Sequence, residues 1–341
     1  MKRSRYFDAP LLLPLICIIL TITLLLPSDT PETHWPFVSR SIENMSYMRH
    51  QLLSDYEKAG LSGDAYAVVA AMTLGDKGSL THDLRETYNV TGASHILALS
   101  GLHLSIIYML VTMLIPIRRW RIITQSVTIL VIWAFAFLTG LSPSITRAAT
   151  MLTIYGLLSV GYREKMSINT LAFTAILLLL ISPASLYNIG FQMSFLAVFG
   201  ILLFMPVFDC LIPQHILQQY SLLKWLWGMV TVSISAQIGV APLIAFYFHR
   251  FSVYFLLSNF IVIPCAYIII IGGLLLLLTH ATFLAQWLAG TVGFMTQSLS
   301  FISNLPGASI ENININVLQV MLIYVIITCV YIIFFVTLHP K

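Results

Sequence analysis

Three polar residues with chemically useful side chains stand close together in an otherwise apolar stretch, SHILALSGLH at residues 94–103. At about 100° per residue, His95, Ser100 and His103 share one face of a helix. Ionisable groups in a membrane helix are costly and are functional candidates by default. A polar stripe that lines a cavity is one interpretation, and interhelical hydrogen bonding with close packing at Gly101 is the other. The adjacent serine and glycine also mark a place where a helix can kink.

A second polar stretch, GLSPSITRA at residues 140–148, combines a helix start with a basic side chain. Ser142 can serve as the N-cap and Pro143 as the first helical residue, followed by Ser144. The free amides of this first turn, the positive end of the helix dipole and Arg147 then converge, and phosphate is the anion that we expect there. The alternative is that the arginine extends to lipid headgroups.

Amide side chains and prolines recur along the later apolar segments. The candidates are Gln192, Ser194, Gln237, Pro242, Asn259 and Pro264. Each amide can simply hydrogen-bond between helices. Each proline removes a backbone hydrogen bond in mid-helix, which is tolerated where the freed group faces protein or water. Together these residues predict discontinuous helices around a polar path.

The composition indicates a membrane protein. Of the 341 residues 58% are hydrophobic and only 9% are charged, whereas soluble domains have roughly 25% charged residues. Residues 251–310 and 312–340 contain no Asp, Glu, Lys or Arg. The net charge of +4 is too small to indicate nucleic-acid binding by bulk electrostatics. The four cysteines form no C-x-x-C pair, so the sequence supports neither a metal knuckle nor a disulfide scaffold. We predict no metal site and no cofactor.

Apolar length and the positions of Pro, Gly and charged residues predict an all-α fold with about ten transmembrane helices and a small helical extracytoplasmic segment. The predicted spans lie near residues 10–27, 95–116, 122–141, 144–161, 167–182, 190–208, 226–247, 253–278, 281–300 and 316–338. We divide the chain into a first span (1–27), an extracytoplasmic segment (28–94) and a transmembrane bundle (95–341). Inside the segment, residues 42–56 carry an apolar helical stripe, and residues 65–74 are predicted to be interfacial or re-entrant.

Basic residues predict the orientation of this arrangement. Ten of the seventeen Lys and Arg residues fall on one side, whereas five lie in the 28–94 segment among nine acidic residues. The positive-inside rule therefore places both termini in the cytoplasm and residues 28–94 outside the cytoplasmic membrane. The first apolar run is followed by no small-x-small cleavage pattern, so we expect it to remain as an uncleaved span.

Several of these stretches, in this order, resemble the competence domain of the ComEC family of bacterial DNA-uptake proteins. The matching stretches are LGD at 74–76, SHILALSGLH at 94–103, GLSPSITRA at 140–148, GFQMSFLAV at 190–198, and a last block from Ala236 and Gln237 through Pro242, Phe251 and Ser252 to Asn259 and Pro264. The resemblance covers roughly residues 40–280, and five motifs in one order are specific.

The resemblance implies a channel for single-stranded DNA across the cytoplasmic membrane during natural transformation. It also implies a DNA receptor outside and an ATP-driven translocase inside as partners. Apart from the resemblance, we expect contact with the lipid bilayer and consider a homo-oligomer of the chain. Only 67 residues separate the first two predicted spans, where the family has an OB-type domain, and the sequence contains no His-x-His-x-Asp-His motif of the family's nuclease domain. We therefore expect no enzyme activity from this sequence.

Other functions stand beside the channel. Broken helices near Pro143, Pro242 and Pro264 are also typical of a secondary transporter of a small anionic solute, and an anion site suits both functions. An intramembrane hydrolase would use Ser100 as the nucleophile and a histidine such as His103 as the base, but the sequence offers no Gly-x-Ser-Gly context and no acid partner. A reduced family member that no longer transports is a further alternative.

Overall fold

The computed structural model describes residues 36–115, 121–160 and 168–338. Within these ranges the chain forms fourteen α-helices, one 3-10 helix (Pro183–Tyr187) and one pair of short strands. The helices are α1 (Pro36–Lys58), α2 (Gly63–Leu74), α3 (His82–Val90), α4 (Ser94–Leu97), α5 (Gly101–Leu114), α6 (Arg121–Leu138), α7 (Pro143–Val160), α8 (Ile168–Ile181), α9 (Ile189–Asp209), α10 (Gln214–Gln219), α11 (Ser221–Phe248), α12 (Phe255–Thr279), α13 (Thr282–Ser303) and α14 (Val317–Leu338). The predicted first span, 10–27, lies outside the described residues.

Four described helices are long and apolar enough to cross a membrane: α9, α11, α12 and the Val317–Phe334 part of α14. All four coincide closely with predicted spans, because long apolar runs carry a strong sequence signal. Helices also form at the other predicted spans within the described residues. Two of them, α5 and α8, have 14 residues each, fewer than the about 20 that a bilayer requires. The described chain is almost entirely helical, and its long apolar helices indicate a membrane protein; the count of ten spans stays a prediction.

Helix α2, which covers the run predicted to be interfacial or re-entrant at residues 65–74, is packed inside the protein, and its position relative to the membrane stays a prediction. Its side chains from Ala67 to Leu74 are all buried, and the helix packs against α12 and α13. Gly273 of α12 permits this approach, because a Cβ atom there would lie 2.7 Å from Thr73 Cγ2. The helix ends where Gly75 takes a left-handed φ of 75°, which glycine adopts without steric cost.

Buried tyrosines connect the helices before α5 to one another and to α13. Tyr56 of α1 donates its hydroxyl to Thr73 Oγ1 at 3.0 Å. Tyr88 of α3 is fully buried, and its hydroxyl lies 3.4 Å from Thr296 Oγ1 of α13. Burial raises the pKa of Tyr88 to about 12, because the phenolate would lose its hydration.

Helices α9 and α11 form the most extensive helix pair of the described bundle. They touch backbone to backbone at two glycines, since a Cβ atom on Gly200 would lie 2.5 Å from Ser235 O, and one on Gly239 would collide with Leu196 O. Small residues at such contacts permit the close van der Waals packing that drives helix association in lipid. Strand β1 (Phe251–Ser252) follows α11 and pairs antiparallel with β2 (Ser309–Ile310).

Candidate substrate path

The helix predicted over residues 95–116 is broken at the first polar motif. Helix α4 ends at Leu97, and α5 begins only at Gly101. Ser100 has an extended backbone, with φ −132° and ψ 175°, and caps α5. The predicted kink is therefore a full interruption, and the shared helical face proposed for His95, Ser100 and His103 is wrong. His95 is exposed and its Nδ1 lies 3.0 Å from Gly92 O.

The break brings Ser100 and His103 together through the cap of α5. The Ser100 backbone N–H donates to His103 Nδ1 at 3.2 Å, and Ser100 Oγ lies 3.0 Å from the same nitrogen. Because Nδ1 accepts, a neutral ring carries its proton on Nε2. That Nε2 atom is fully buried and has no hydrogen-bond partner among the described residues. In a hydrolase, a third group would bind this Nε2 atom and orient the histidine as the base. The described residues place no such group at His103 Nε2.

The second motif begins α7 as predicted, at Pro143, but its arginine faces a different helix. Arg147 is 7% exposed. Its Nη2 and Nη1 atoms lie 3.4 and 3.9 Å from the point where a Cβ atom of Gly190 would stand, in the first turn of α9. The guanidinium therefore lies beside the start of α9, whereas the sequence placed it with the amides of α7 alone. Ser142 and Ser144 are half-buried nearby along the chain.

No described group neutralises this arginine. The Nε atom of Arg147 is buried and has no hydrogen-bond partner among the described residues. None of the ion pairs formed in the described part of the chain includes it. A buried cation without a partner is costly, and a guanidinium is a fork of donors that fits phosphate and carboxylate oxygens. The arrangement can bind an anion.

A second unpaired arginine, Arg49 of α1, was not among the sequence candidates. Its Nη1 lies 3.9 Å from the Cβ position of Gly140, in the turn before α7, and its Nε is buried without a partner among the described residues. The available signal was its place on the apolar stripe, four residues after Met45 and three before Leu52. A basic residue on such a face is unusual in a helix that packs on others.

Gln192 is a structural link. Its Nε2 donates to Leu186 O at 2.9 Å, and its Oε1 accepts from the Tyr247 hydroxyl at 2.9 Å. Both ends of the amide are used, so this residue holds the start of α9 against α11, which is the interhelical role weighed for it above. Ser194, one half-turn further along α9, is half-buried.

Polar side chains also meet between α11 and α12. Asn259 Nδ2 donates to Ser233 Oγ at 3.2 Å. Asn259 Oδ1 and Ser235 Oγ are buried with no partner in the described part of the chain. Gln237 is half-buried on α11. This polar contact was foreseen for Asn259 alone, because neither serine stands out in the apolar sequence.

The prolines do not interrupt their helices. Pro242 lies inside α11 and Pro264 inside α12, and both helices continue through them. The prediction of discontinuous helices at these two positions is therefore wrong. A proline removes one backbone hydrogen bond and need not end a transmembrane helix, because neighbouring groups can satisfy the freed carbonyl.

A family model described as "Competence protein" matches residues 72–336. The chain belongs to this family. The matched range includes every candidate residue from His95 to Pro264, whereas Arg49 lies before it. Membership of the Competence protein family supports a competence-related role.

Similar proteins are longer than this chain. ComE operon protein 3 of Bacillus subtilis (strain 168) is 30% identical over 265 residues, which cover 73% of this chain and 33% of that protein. An uncharacterized protein of Aquifex aeolicus (strain VF5) is 31% identical over 180 residues, covering 52% of this chain and 40% of that protein. Uncharacterized protein YcaI of Escherichia coli (strain K12) is 23% identical over 207 residues, covering 58% of this chain and 27% of that protein. The chain spans less than half the length of each, and no solved structure gives a significant match.

Proposed function

We propose that this chain conducts single-stranded DNA across the cytoplasmic membrane during natural transformation. The observation that carries the proposal is that three of the eight side-chain atoms buried without partners among the described residues lie in the polar motifs: His103 Nε2, Arg147 Nε and Asn259 Oδ1. Each belongs to a different motif of the range that matches the Competence family. Buried polar groups normally have hydrogen-bond partners. A hydrated polar polymer passing these atoms would supply the hydrogen-bond partners that the described residues do not.

The three atoms offer complementary chemistry to a DNA strand. The N–H groups of His103 and Arg147 can donate to phosphate oxygens, and the Asn259 oxygen can accept from base amino groups. A path with few cations suits conduction, because a substrate must bind weakly enough to leave. A row of Lys and Arg would instead hold the strand with strong, salt-dependent affinity.

A path of this kind needs an external drive. The proposal therefore includes an ATP-driven translocase on the cytoplasmic side and a DNA receptor outside, with a second copy of the chain as a further partner in the bilayer. It also includes the predicted orientation, with both termini in the cytoplasm and residues 28–94 outside. In that orientation α5, α7 and α9 all begin at the outer side, so the positive ends of their dipoles face the incoming strand.

The test is a deletion of the gene in its competent host, complemented with the 341-residue chain. Two quantities are measured: transformation by homologous marked DNA, and arrival of labelled DNA in the cytoplasm. We expect both to be lost and then restored by the chain. Electroporation of the same marked DNA is the control, because it bypasses uptake and should give equal numbers of recombinants in the deletion and parent strains.

Two outcomes would contradict the proposal. Normal transformation in the deletion strain would mean that the chain does not carry DNA. Loss of transformation with normal arrival of labelled DNA would place the defect after uptake. In either case a secondary transporter of a small anion becomes the better explanation of the unpaired Arg147.

A further inference from the structure

The guanidinium of Arg147 points at the open start of another helix. The side chain comes from the second turn of α7. Only 7% of the residue's surface is exposed, so more than nine-tenths of it is buried. Its Nη2 lies 3.4 Å from the Cβ position of Gly190. By contrast Asn188, Ile189 and Gly190 are exposed. A soluble group can therefore reach the donor end of an otherwise enclosed cation.

The first turn of α9 supplies backbone donors at the same place. Asn188 is the N-cap, and its side-chain oxygen accepts from the Phe191 N–H at 3.2 Å. The N–H groups of Ile189 and Gly190 come earlier in the turn and have no partner within the helix. They add to the positive end of the dipole of a 21-residue helix.

Gly190 keeps this space open. A Cβ atom there would lie 3.1 Å from Asn188 Oδ1 and 3.4 Å from Arg147 Nη2, so it would fill the gap between the guanidinium and the helix start. The residue is helical and has no left-handed φ, so backbone conformation does not require glycine here. A glycine at position 190 instead leaves the space between Arg147 and the start of α9 unoccupied.

We propose that Arg147 and the first-turn amides of α9 at Ile189 and Gly190 bind one phosphate group of a phosphodiester, and that this phosphate belongs to the DNA strand. The inference rests on the proposed function and names the contact that the strand makes. A tetrahedral phosphate can take a guanidinium on one side and backbone N–H groups on another. Phospholipid headgroups carry the same chemistry, and the experiment separates the two sources.

The experiment measures binding of a short fluorescent oligothymidylate to the purified full chain in neutral phosphatidylcholine nanodiscs. The same oligomer with an uncharged methylphosphonate backbone tests whether phosphate is recognised. We expect Arg147→Gln to weaken binding of the charged oligomer about tenfold, the effect of one charged hydrogen bond. We also expect it to lower the slope of log affinity against log salt by about 0.7, the value for one phosphate contact on a single strand.

Two further variants separate a binding role from a structural one. Gly190→Ala fills the space between Arg147 and α9, and should weaken binding while the guanidinium and its charge are retained. Arg250→Gln removes the same charge from a guanidinium that already pairs with Glu86 at 3.0 Å. It should leave oligomer binding and the salt slope close to those of the wild type.

The outcomes discriminate between the site and the function. If Arg147→Gln binds the oligomer with wild-type affinity and restores DNA uptake in the deletion strain, the phosphate site is wrong and the proposed function stands. If the variant instead loses a phospholipid that copurifies with the wild-type chain, as counted by native mass spectrometry, while oligomer binding is unchanged, the site holds a lipid headgroup and the strand assignment is wrong. If the wild-type chain restores no uptake, the proposed function itself fails.

Discussion

Replacing Gly200 by alanine tests the backbone contact between α9 and α11. Helices α9 and α11 approach so closely at this point that an added Cβ atom would lie 2.5 Å from Ser235 O and 3.2 Å from Gly239 Cα. Both of these are backbone atoms in the middle of a long helix, so neither can swing aside as the end of a flexible side chain can. The helices themselves must move.

The size of the effect follows from that geometry. Carbon–oxygen contacts need about 3.3 Å, so α9 and α11 must separate by roughly 1 Å at this point. Overpacking of this kind costs about 1–3 kcal/mol, and the upper end applies because the colliding atoms are fixed. Alanine recovers about 1 kcal/mol over glycine as a helix former. The net expectation is a loss of roughly 2 kcal/mol of unfolding free energy.

The assay is thermal unfolding of the purified chain in detergent, followed by tryptophan fluorescence. Gly228→Ala is the matched control, because Gly228 lies on α11 and an added Cβ atom would meet nothing within 4 Å. We expect Gly200→Ala to lower the Tm and Gly228→Ala to leave it unchanged or raise it. Equal Tm values for the two variants would refute the close contact between α9 and α11.

Three further predictions concern other parts of the chain. Tyr56→Phe removes the 3.0 Å hydrogen bond to Thr73, and should lower the unfolding free energy by about 1 kcal/mol in the same thermal assay, whereas no change would mean that the bond does not form. Gly101→Ala should be tolerated because its Cβ would lie 3.7 Å from Ala148 Cβ, whereas Gly101→Leu should fail to restore transformation. Burial raises the pKa of Tyr88 to about 12, so the folded chain keeps a proton that the unfolded chain releases above about pH 10. The unfolding free energy should therefore fall between about pH 10 and 12, and it should fall less in Tyr88→Phe.

The sequence was sufficient for helices whose signal is local. Apolar length located α9, α11, α12 and α14, and Ser142 followed by Pro143 correctly placed the start of α7. The break before α5 was foreseen only as a kink. The residues on both sides of the break are apolar, so hydropathy alone predicts one helix over residues 95–116. The missed signal was Ser100, because serine is a common N-cap residue.

The errors at the site have a common physical cause. Pro242 and Pro264 were expected to break their helices, but the contacts of a long packed helix outweigh the loss of one hydrogen bond. Arg147 was assigned to the helix on which it lies, because sequence neighbours are visible and the approach of Gly190 from a different helix is not. Arg49 was missed for the same reason, since its neighbour Gly140 lies 91 positions away in the sequence.

The close packing of α9 against α11 also positions its exposed first turn. The Gly200 contact fixes the middle of α9 against α11, and the bond from Tyr247 to Gln192 fixes its start, so that Gly190 is held opposite Arg147. The Nε atom of Arg147 has no partner among the described residues, and its guanidinium lies beside the open start of α9; this combination favours binding of a phosphate group from outside the chain over a purely structural role.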